Sequence, residues 1–299
     1  MLLLPAGPAG CVVAAPAKLN LHLEVIGKRA DGYHDLETLM LAVDLFDTLE
    51  VADDPAGELS LACDTPGVPA GPGNLAWRAA DELRTRLAPG RGARMGLTKR
   101  IPHQAGLGGG SSDAAAAILG CAMVWGVEPA SDVAAAIGSD VAFFLGGPAA
   151  WCTGRGEVVE PEQVGGELWF VLVKPPGGLG TADVYRRLTL PATPVSGDAL
   201  RAAVRAGDPE AVARHLFNRL DGPAFGLRPD LAGVKDELVR CGALGALLTG
   251  SGVAVFGVCR DRSHADAVAG EFRAVRGECQ TFVVRGGGRW LVVDSTRHP

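Results

Sequence analysis

Lysine, tyrosine, paired cysteine and long apolar runs are what these 299 residues have little of. Five lysines stand against 23 arginines, and the 28 basic residues are scattered among 34 acidic ones, giving a net charge of −6. No basic stripe marks a nucleic-acid surface, so binding to DNA or RNA is not expected. The scarcity of lysine accompanies abundant Ala, Gly and Val, reads as compositional bias, and carries no functional weight. The seven cysteines (Cys11, Cys63, Cys121, Cys152, Cys241, Cys259, Cys279) are odd in number and far apart, with no CxxC or Cys/His ligand spacing. That pattern argues against a structural metal or a disulfide framework and suits a reduced, cytoplasmic protein. No uninterrupted apolar stretch of about 18 residues occurs, so neither a membrane span nor a membrane partner is expected. The opening MLLLPAGPAGCVVAAPA is apolar, but Pro5, Gly7 and Pro8 break it and no positive charge precedes Lys18; no targeting segment is expected.

What is present is globular: 47% hydrophobic, 21% charged, with 42 glycines and 20 prolines in no fixed period. The length predicts about two domains. Cys11 to Val25 alternates as a strand, with Leu19, Leu21 and Leu23 on one face and Asn20, His22 and Glu24 on the other, so Lys18 and Asn20 share a face. A polar loop, Gly27 to Gly32, precedes a second strand region over Asp35 to Val51. Asn74 to Leu87 has helical spacing and is closed by Gly90-Arg91-Gly92. Met95 to Ile101 reads as a short strand, Ser111 to Trp125 as an Ala-rich helix stopped by Gly126, Ser131 to Ile137 as a helix, and Leu168 to Lys174 as a buried strand. Pro175-Pro176-Gly177-Gly178 is a candidate domain junction. Beyond it, Ala199 to Leu220, Pro229 to Cys241 and Ala265 to Arg273 look helical, and two apolar runs flank Gly250-Ser251-Gly252. The last 15 residues, with Gly286-Gly287-Gly288, close on one more strand or fray. The whole reads as α+β.

The strongest local signal is PHQAGLGGGSSDAAAA, residues 102 to 117. Gly106, Gly108, Gly109 and Gly110 let backbone amides turn inward without a Cβ in the way, and the helix start that follows adds unpaired N–H groups and the positive dipole end. Such a loop cradles phosphate. A lone glycine run is more often a plain loop with Ser111 or Ser112 as a helix cap, but here two hydroxyls and a helix mouth follow directly. It is neither a Walker loop, because no Lys-Ser or Lys-Thr follows the last glycine, nor a Rossmann fingerprint.

The loop resembles the second motif of the GHMP kinases, a family of small-molecule kinases. Pro16-Ala17-Lys18-Leu19-Asn20-Leu21 resembles the family's first motif, and Leu248 to Gly257 (LTGSGVAVFG) its third. Within the family, PAKLNLHLEVIGKRADGYHDLETLM (16 to 40), IGSDVAFFLGG (137 to 147), KPPGGLGTADVY (174 to 185) and LFNRLDGPA (216 to 224) are most similar to the branch whose acceptor is a cytidine diphosphate-linked methylerythritol. The matches run in order from residue 16 to about 257.

The resemblance implies a two-domain α+β fold, with a left-handed βαβ-type nucleotide domain over residues 1–165 and a ferredoxin-like substrate-side domain over 166–299. It implies ATP with Mg²⁺ as cofactors and a small-molecule alcohol as partner, in non-mevalonate isoprenoid precursor synthesis. Asp140 is the implied general base and Lys18 the cation beside it. The nucleotide would lie over Pro102, His103, Gln104, Ala105, Gly106, Leu107, Gly108, Gly109, Gly110, Ser111 and Ser112, with Asn74 and Lys99 near its base. Asn20, Tyr33, His34, Thr181, Tyr185, Gly250, Ser251 and Gly252 would bind the acceptor, His34 reading the cytosine edge and Tyr33 and Tyr185 offering aromatic walls. Taken alone, each residue has a plainer role: Asp140 a helix cap, Lys18 a solvated edge-strand lysine, Tyr185 core packing, Gly250 to Gly252 a hairpin turn. The family usually has smaller residues where His103-Gln104 stand, so this shoulder of the loop is bulkier and more polar. No second carboxylate shows clear Mg²⁺ ligand spacing, which leaves the metal ligands open. The rivals are a GHMP kinase for another small alcohol and a non-catalytic nucleotide-binding module; the sequence is silent on oligomeric state.

Overall fold

A computed structural model describes residues 1–5, 10–129 and 131–287. In chain order the strands are β1 (Leu2–Pro5), β2 (Gly10–Lys28), β3 (His34–Asp54), β4 (Leu59–Cys63), β5 (Gly92–Thr98), β6 (Ala149–Gly154), β7 (Val158–Pro161), β8 (Leu168–Lys174), β9 (Phe217–Asn218), β10 (Gly245–Leu248), β11 (Val255–Cys259) and β12 (Gln280–Gly286). The helices are α1 (Leu75–Leu87), α2 (Gly109–Trp125), α3 (Ser131–Ile137), α4 (Val141–Gly146), α5 (Thr181–Arg186), α6 (Asp198–Ala206), α7 (Pro209–His215), α8 (Asp221–Leu227), α9 (Asp230–Arg240) and α10 (Arg262–Val275).

Helix limits follow from local chemistry. The Asn74 side chain accepts from Ala76 N and starts α1, and Gly126 in the left-handed region ends α2. The helical pattern over Ala199 to Leu220 is not one helix: Gly207 at φ 66° terminates α6, and Asp208 caps α7 with Pro209 behind it. That Gly-Asp-Pro sequence ends one helix and begins the next, and the chain then turns into β9.

The long strand β3 organises the sheet. β2 pairs antiparallel along one edge, from Gly10↔Ala52 to Lys28↔His34. The other edge is divided: Leu36 to Leu41 pair with β6, Val43 with Gly286 of β12, and Thr48 to Asp54 with β5. Beyond β12 the order is β8, β11, β10, all antiparallel. Numbered from β8, this is the 4-1-3-2 order of a ferredoxin-like half. Pro175–Gly178, expected at a junction, follows β8, already paired to β11 and β12; it carries the chain from β8 to α5. β12 ends at Gly286, and residues 288–299, most of the final stretch considered above, lie outside the described residues.

Three apolar clusters hold this frame. One packs α1, α2 and α4 on β2, β3 and β5 through residues such as Leu83, Ile118, Phe143 and Leu49. Another fills the second half with Val171, Val255, Leu238 and Phe272. Between them, Leu19, Leu21 and Leu41 meet Phe170, Phe256 and Leu200. At about 1.5–3 kcal/mol per fully buried side chain, this shared cluster holds both halves in register across the cleft.

Candidate active site

The first strand motif delivers Lys18 and Asn20 to the cleft. Both are buried, and Lys18 Nζ donates to Asn20 Oδ1 at 2.5 Å. Asn20 is fixed on its remaining sides: its Nδ2 donates to Thr38 Oγ1 at 2.9 Å, and its backbone N–H donates to Thr249 Oγ1 at 3.0 Å. Lys18 Nζ lies 3.5 Å from Asp140 Oδ2. Asp140 stands at the N-cap position of α4, yet its side chain makes no capping bond and is 28% exposed. The plain capping role is therefore not the one its carboxylate performs. A half-sheltered carboxylate, an ammonium beside it and an open cavity in front form an arrangement that can take a proton and screen negative charge.

The glycine-rich loop runs past this pair. Lys18 N donates to Leu107 O at 3.0 Å, and Ala254 N in the third motif donates to Ala105 O at 3.1 Å. A Cβ on Gly106 (φ 76°) would stand 2.2 Å from Thr249 O, and one on Gly108 (φ 69°) would stand 3.0 Å from both Lys18 Cγ and Phe144 Cζ. Only glycine permits that backbone at those approaches. Ala105 and Leu107 turn their side chains into the core, so they present only backbone to the loop's outer face. His103 and Gln104 are exposed, and Gln104 holds a left-handed φ of 51° with its side chain against Gly178. Ser112 is buried and its Oγ has no hydrogen-bond partner.

A cavity of about 910 Å³ joins these parts to the acceptor side. Lys18, Asn20, Asp140, Gly106, Gly108, Tyr33, His34, Thr181, Tyr185, Gly250 and Ser251 all line it. The His34 and Tyr185 rings stand 5.0 Å apart, tilted by 34°. Burial pushes the Tyr185 phenol above its usual pKa and nearby Asp140 adds to this, so it stays a neutral donor. Burial, with Lys28 nearby, holds the His34 imidazole below its ordinary value, which keeps it neutral. Thr181 and Ser251 are hydrogen-bonded at 2.9 Å, tying α5 to the β10–β11 turn. That turn is the hairpin expected on the plainer view, and it also faces the cavity.

Asn74 and Lys99, expected beside a nucleotide base, do not line it. Asn74 is occupied as the cap of α1 and as a donor to Pro69 O at 2.9 Å. Lys99 is enclosed between Asp47 and Asp113, its side chain 4% exposed. Gly252 and the outer loop residues Pro102 to Gln104 and Gly109 to Ser112 also lie outside the cavity lining. Conversely, Thr38, Thr249, Arg155, Lys28 and Arg186 belong to the site or its support and escaped the sequence reading. Thr249 stood inside the third motif, where its hydroxyl was the available signal. Arg155 follows β6 and its guanidinium stacks 5.0 Å over the Tyr33 ring; nothing local announces that meeting.

The GHMP kinase N-terminal domain model matches residues 74–148, and the GHMP kinase C-terminal model matches 200–276. Over 91% of its length the chain is 43% identical to 4-diphosphocytidyl-2-C-methyl-D-erythritol kinase of Pelotomaculum thermopropionicum, covering 96% of that protein. The chain belongs to the GHMP kinase family. This GHMP kinase is also 39% identical to the enzyme of the same name from Shouchella clausii, over 91% of the chain and 93% of the relative. A crystal structure of 4-(cytidine 5'-diphospho)-2C-methyl-D-erythritol kinase superposes with a TM-score of 0.78 at 35% identity, covering 93% of this chain and 99% of that one. Homoserine kinase of Cytophaga hutchinsonii gives a TM-score of 0.74 at 17% identity over 96% of this chain and 97% of its own, a likeness of fold alone. As a GHMP kinase the chain is an ATP-dependent small-molecule kinase. No helix among the described residues is long and apolar enough to cross a membrane.

Proposed function

We propose that this kinase transfers the γ-phosphate of ATP to the 2-hydroxyl of 4-diphosphocytidyl-2-C-methyl-D-erythritol, a step of non-mevalonate isoprenoid precursor synthesis, in the cytoplasm. The observation that carries the reading is the uncapped Asp140 carboxylate, 3.5 Å from Lys18 Nζ, in a cavity also lined by Tyr33, His34 and Tyr185. The curated relatives named for that substrate support it. Asp140 takes the hydroxyl proton as the oxygen attacks the γ-phosphorus, and the bond to the ADP oxygen breaks. Lys18 screens charge on the developing oxyanion and keeps its ammonium between Asp140 and Asn20. Tyr33, His34 and Tyr185 bind the cytosine end, while Asn20, Thr181 and the Gly250–Gly252 turn bind the acceptor nearer the reacting hydroxyl. Residues 102–112 carry the nucleotide phosphates; residues 1–165 form the nucleotide domain and 166–299 the substrate-side domain, with Asn20, Tyr33 and His34 of the first also reaching the acceptor.

Mg²⁺ belongs to this reading as an ion brought by ATP. No group of three or more His, Cys, Asp or Glu residues among the described residues forms a protein cage. Phosphate oxygens and waters commonly supply most of the Mg²⁺ shell, and Ser112 Oγ, buried without a hydrogen-bond partner in the loop assigned to the phosphates, is the side-chain oxygen that would join them. Bound with the nucleotide, the ion would neutralise charge on the phosphates. The deciding experiment is ADP release from ATP and Mg²⁺ with the cytidylylated acceptor, homoserine, mevalonate or no acceptor. Turnover with the cytidylylated acceptor alone is expected; turnover with another alcohol, or none with any, would reject the reading.

A further inference from the structure

The Lys99 cluster lies outside the cavity and has no part in the chemistry above, yet it joins both ends of the glycine-rich loop to one ammonium. Before the loop, Asp47 Oδ1 accepts from the backbone N–H groups of Arg100 at 2.5 Å and Ile101 at 2.8 Å. Its other oxygen accepts from Lys99 Nζ. After the loop, Asp113 on α2 accepts from the same Nζ at 2.5 Å. The three side chains are 0%, 4% and 4% exposed for Asp47, Lys99 and Asp113. A Cβ on Gly109 would stand 3.4 Å from Lys99 Nζ, so the ammonium lies directly behind the first turn of α2.

Two backbone bonds hold the middle of the loop, at Ala105 and Leu107, and neither reaches residues 108–111. Those residues form the helix mouth, where phosphate oxygens meet free N–H groups. Sealing one cation with two carboxylates is costly, and an exposed ion pair would link the same two segments with less desolvation. A sealed cluster adds fixed register, and register matters where a misplacement of about 1 Å costs about 10²-fold in rate.

We propose that Asp47, Lys99 and Asp113 are positioning residues for the nucleotide: their shared ammonium locks the first turn of α2 to the end of β5 and sets residues 108–111 for the phosphates. The proposal rests on the reading that ATP lies over this loop.

The test compares wild type with Asp47→Asn, Asp113→Asn and Lys99→Met, measuring the KM for ATP, the KM for the acceptor, kcat, and a thermal melt. Asp47→Asn and Asp113→Asn should raise the ATP KM about tenfold while the acceptor KM stays within about twofold. Lys99→Met leaves two carboxylates facing each other and should be more severe; if it fails to fold, the two Asn variants decide. A lowered Tm with neither KM moved, or equal rises in both, would overturn the proposal and leave a purely structural ion cluster. If wild type turns over none of the acceptors, the proposed reaction falls, and ADP binding by calorimetry still decides this claim. A tenfold weaker Kd in Asp47→Asn supports positioning, and an unchanged Kd overturns it.

Discussion

Lys18 and Lys99 are sealed to nearly the same degree, 5% and 4% exposed at the side chain, and each lies beside aspartate in the half of the molecule that carries the glycine loop. They differ in what their partners leave unsatisfied. Lys99 is closed between Asp47 and Asp113; burial by itself would lower its pKa, but the Asp113 and Asp47 carboxylates outweigh this and raise it. Asp113 is pushed up by burial, with Lys99 opposing and Asp47 adding, and its Oδ1 is buried without a hydrogen-bond partner, so what is left over in this cluster is sealed from the cavity. Lys18 has one amide oxygen at hydrogen-bond distance and one carboxylate at 3.5 Å that is itself 28% exposed. The open cluster faces the cavity, where the proposed reading puts the acceptor, and the closed one holds backbone. Residue type does not separate the two roles; the number of partners and the direction of the remaining valence do.

Breaking the open cluster should cost rate rather than stability. Asp140→Asn should lower kcat about 10³-fold while ATP binding, read by calorimetry, and Tm stay near wild type. A variant that retains turnover would remove Asp140 from the base role. Breaking the closed cluster should do the reverse at first sight: Asp47→Ala strips one carboxylate from a buried ammonium and leaves the Arg100 and Ile101 N–H groups unpaired. Urea unfolding should show a loss of about 3–5 kcal/mol, and a loss under about 1 kcal/mol would mean that the cluster is not structurally coupled.

A third buried group sharpens the contrast because it has no charged partner at hydrogen-bond distance. His22, further along the same strand, is 1% exposed between Trp151 and Phe217, and neither ring nitrogen has a protein partner. Burial lowers its pKa from 6.5 to about 4, against the raising effect of Glu24 and with a lowering one from Arg219. A base whose folded pKa is depressed leaves stability intact above its unfolded pKa and withdraws it as pH falls below that value. The window is therefore 6.5 down to about 4, and the share of stability lost across it is about 3 kcal/mol. His22→Phe should flatten the pH dependence of unfolding across that window; an unchanged slope would rule out His22 as its source. The smallest effect is expected in the loop between the two lysines: Gln104→Gly relieves a left-handed side-chain-bearing residue and should shift stability upward by less than about 1 kcal/mol, read as a small rise in Tm.

Much of the frame was readable locally. The alternation through Leu19, Leu21 and Leu23, the Asn74 cap, and the glycine loop opening an Ala-rich helix each depend on spacing within a few residues, and β2, α1 and α2 form where that spacing lies. The pattern over Ala199 to Leu220 misled because helical periodicity persists across Gly207-Asp208-Pro209, where cap and proline chemistry outweigh it. At the site, Lys18 lies within reach of Asn20 and Asp140, and His34 meets Tyr185. Arg155 against Tyr33 and Asp47 beneath Lys99 were not readable, since each pair is assembled by a strand pairing of β3, with β6 in one case and β5 in the other.

By itself the sequence determined the fold class, the glycine-rich loop that opens a helix and the residues proposed for the chemistry, because backbone permissiveness, capping and periodicity are properties of neighbouring residues. Only the tertiary structure decided which buried lysine faces the cavity and which is closed off. Desolvation and ion pairing depend on what arrives from the other strands: β3 and α2 bring Lys99 two carboxylates, while the start of α4 leaves Lys18 only one, turned toward the cavity.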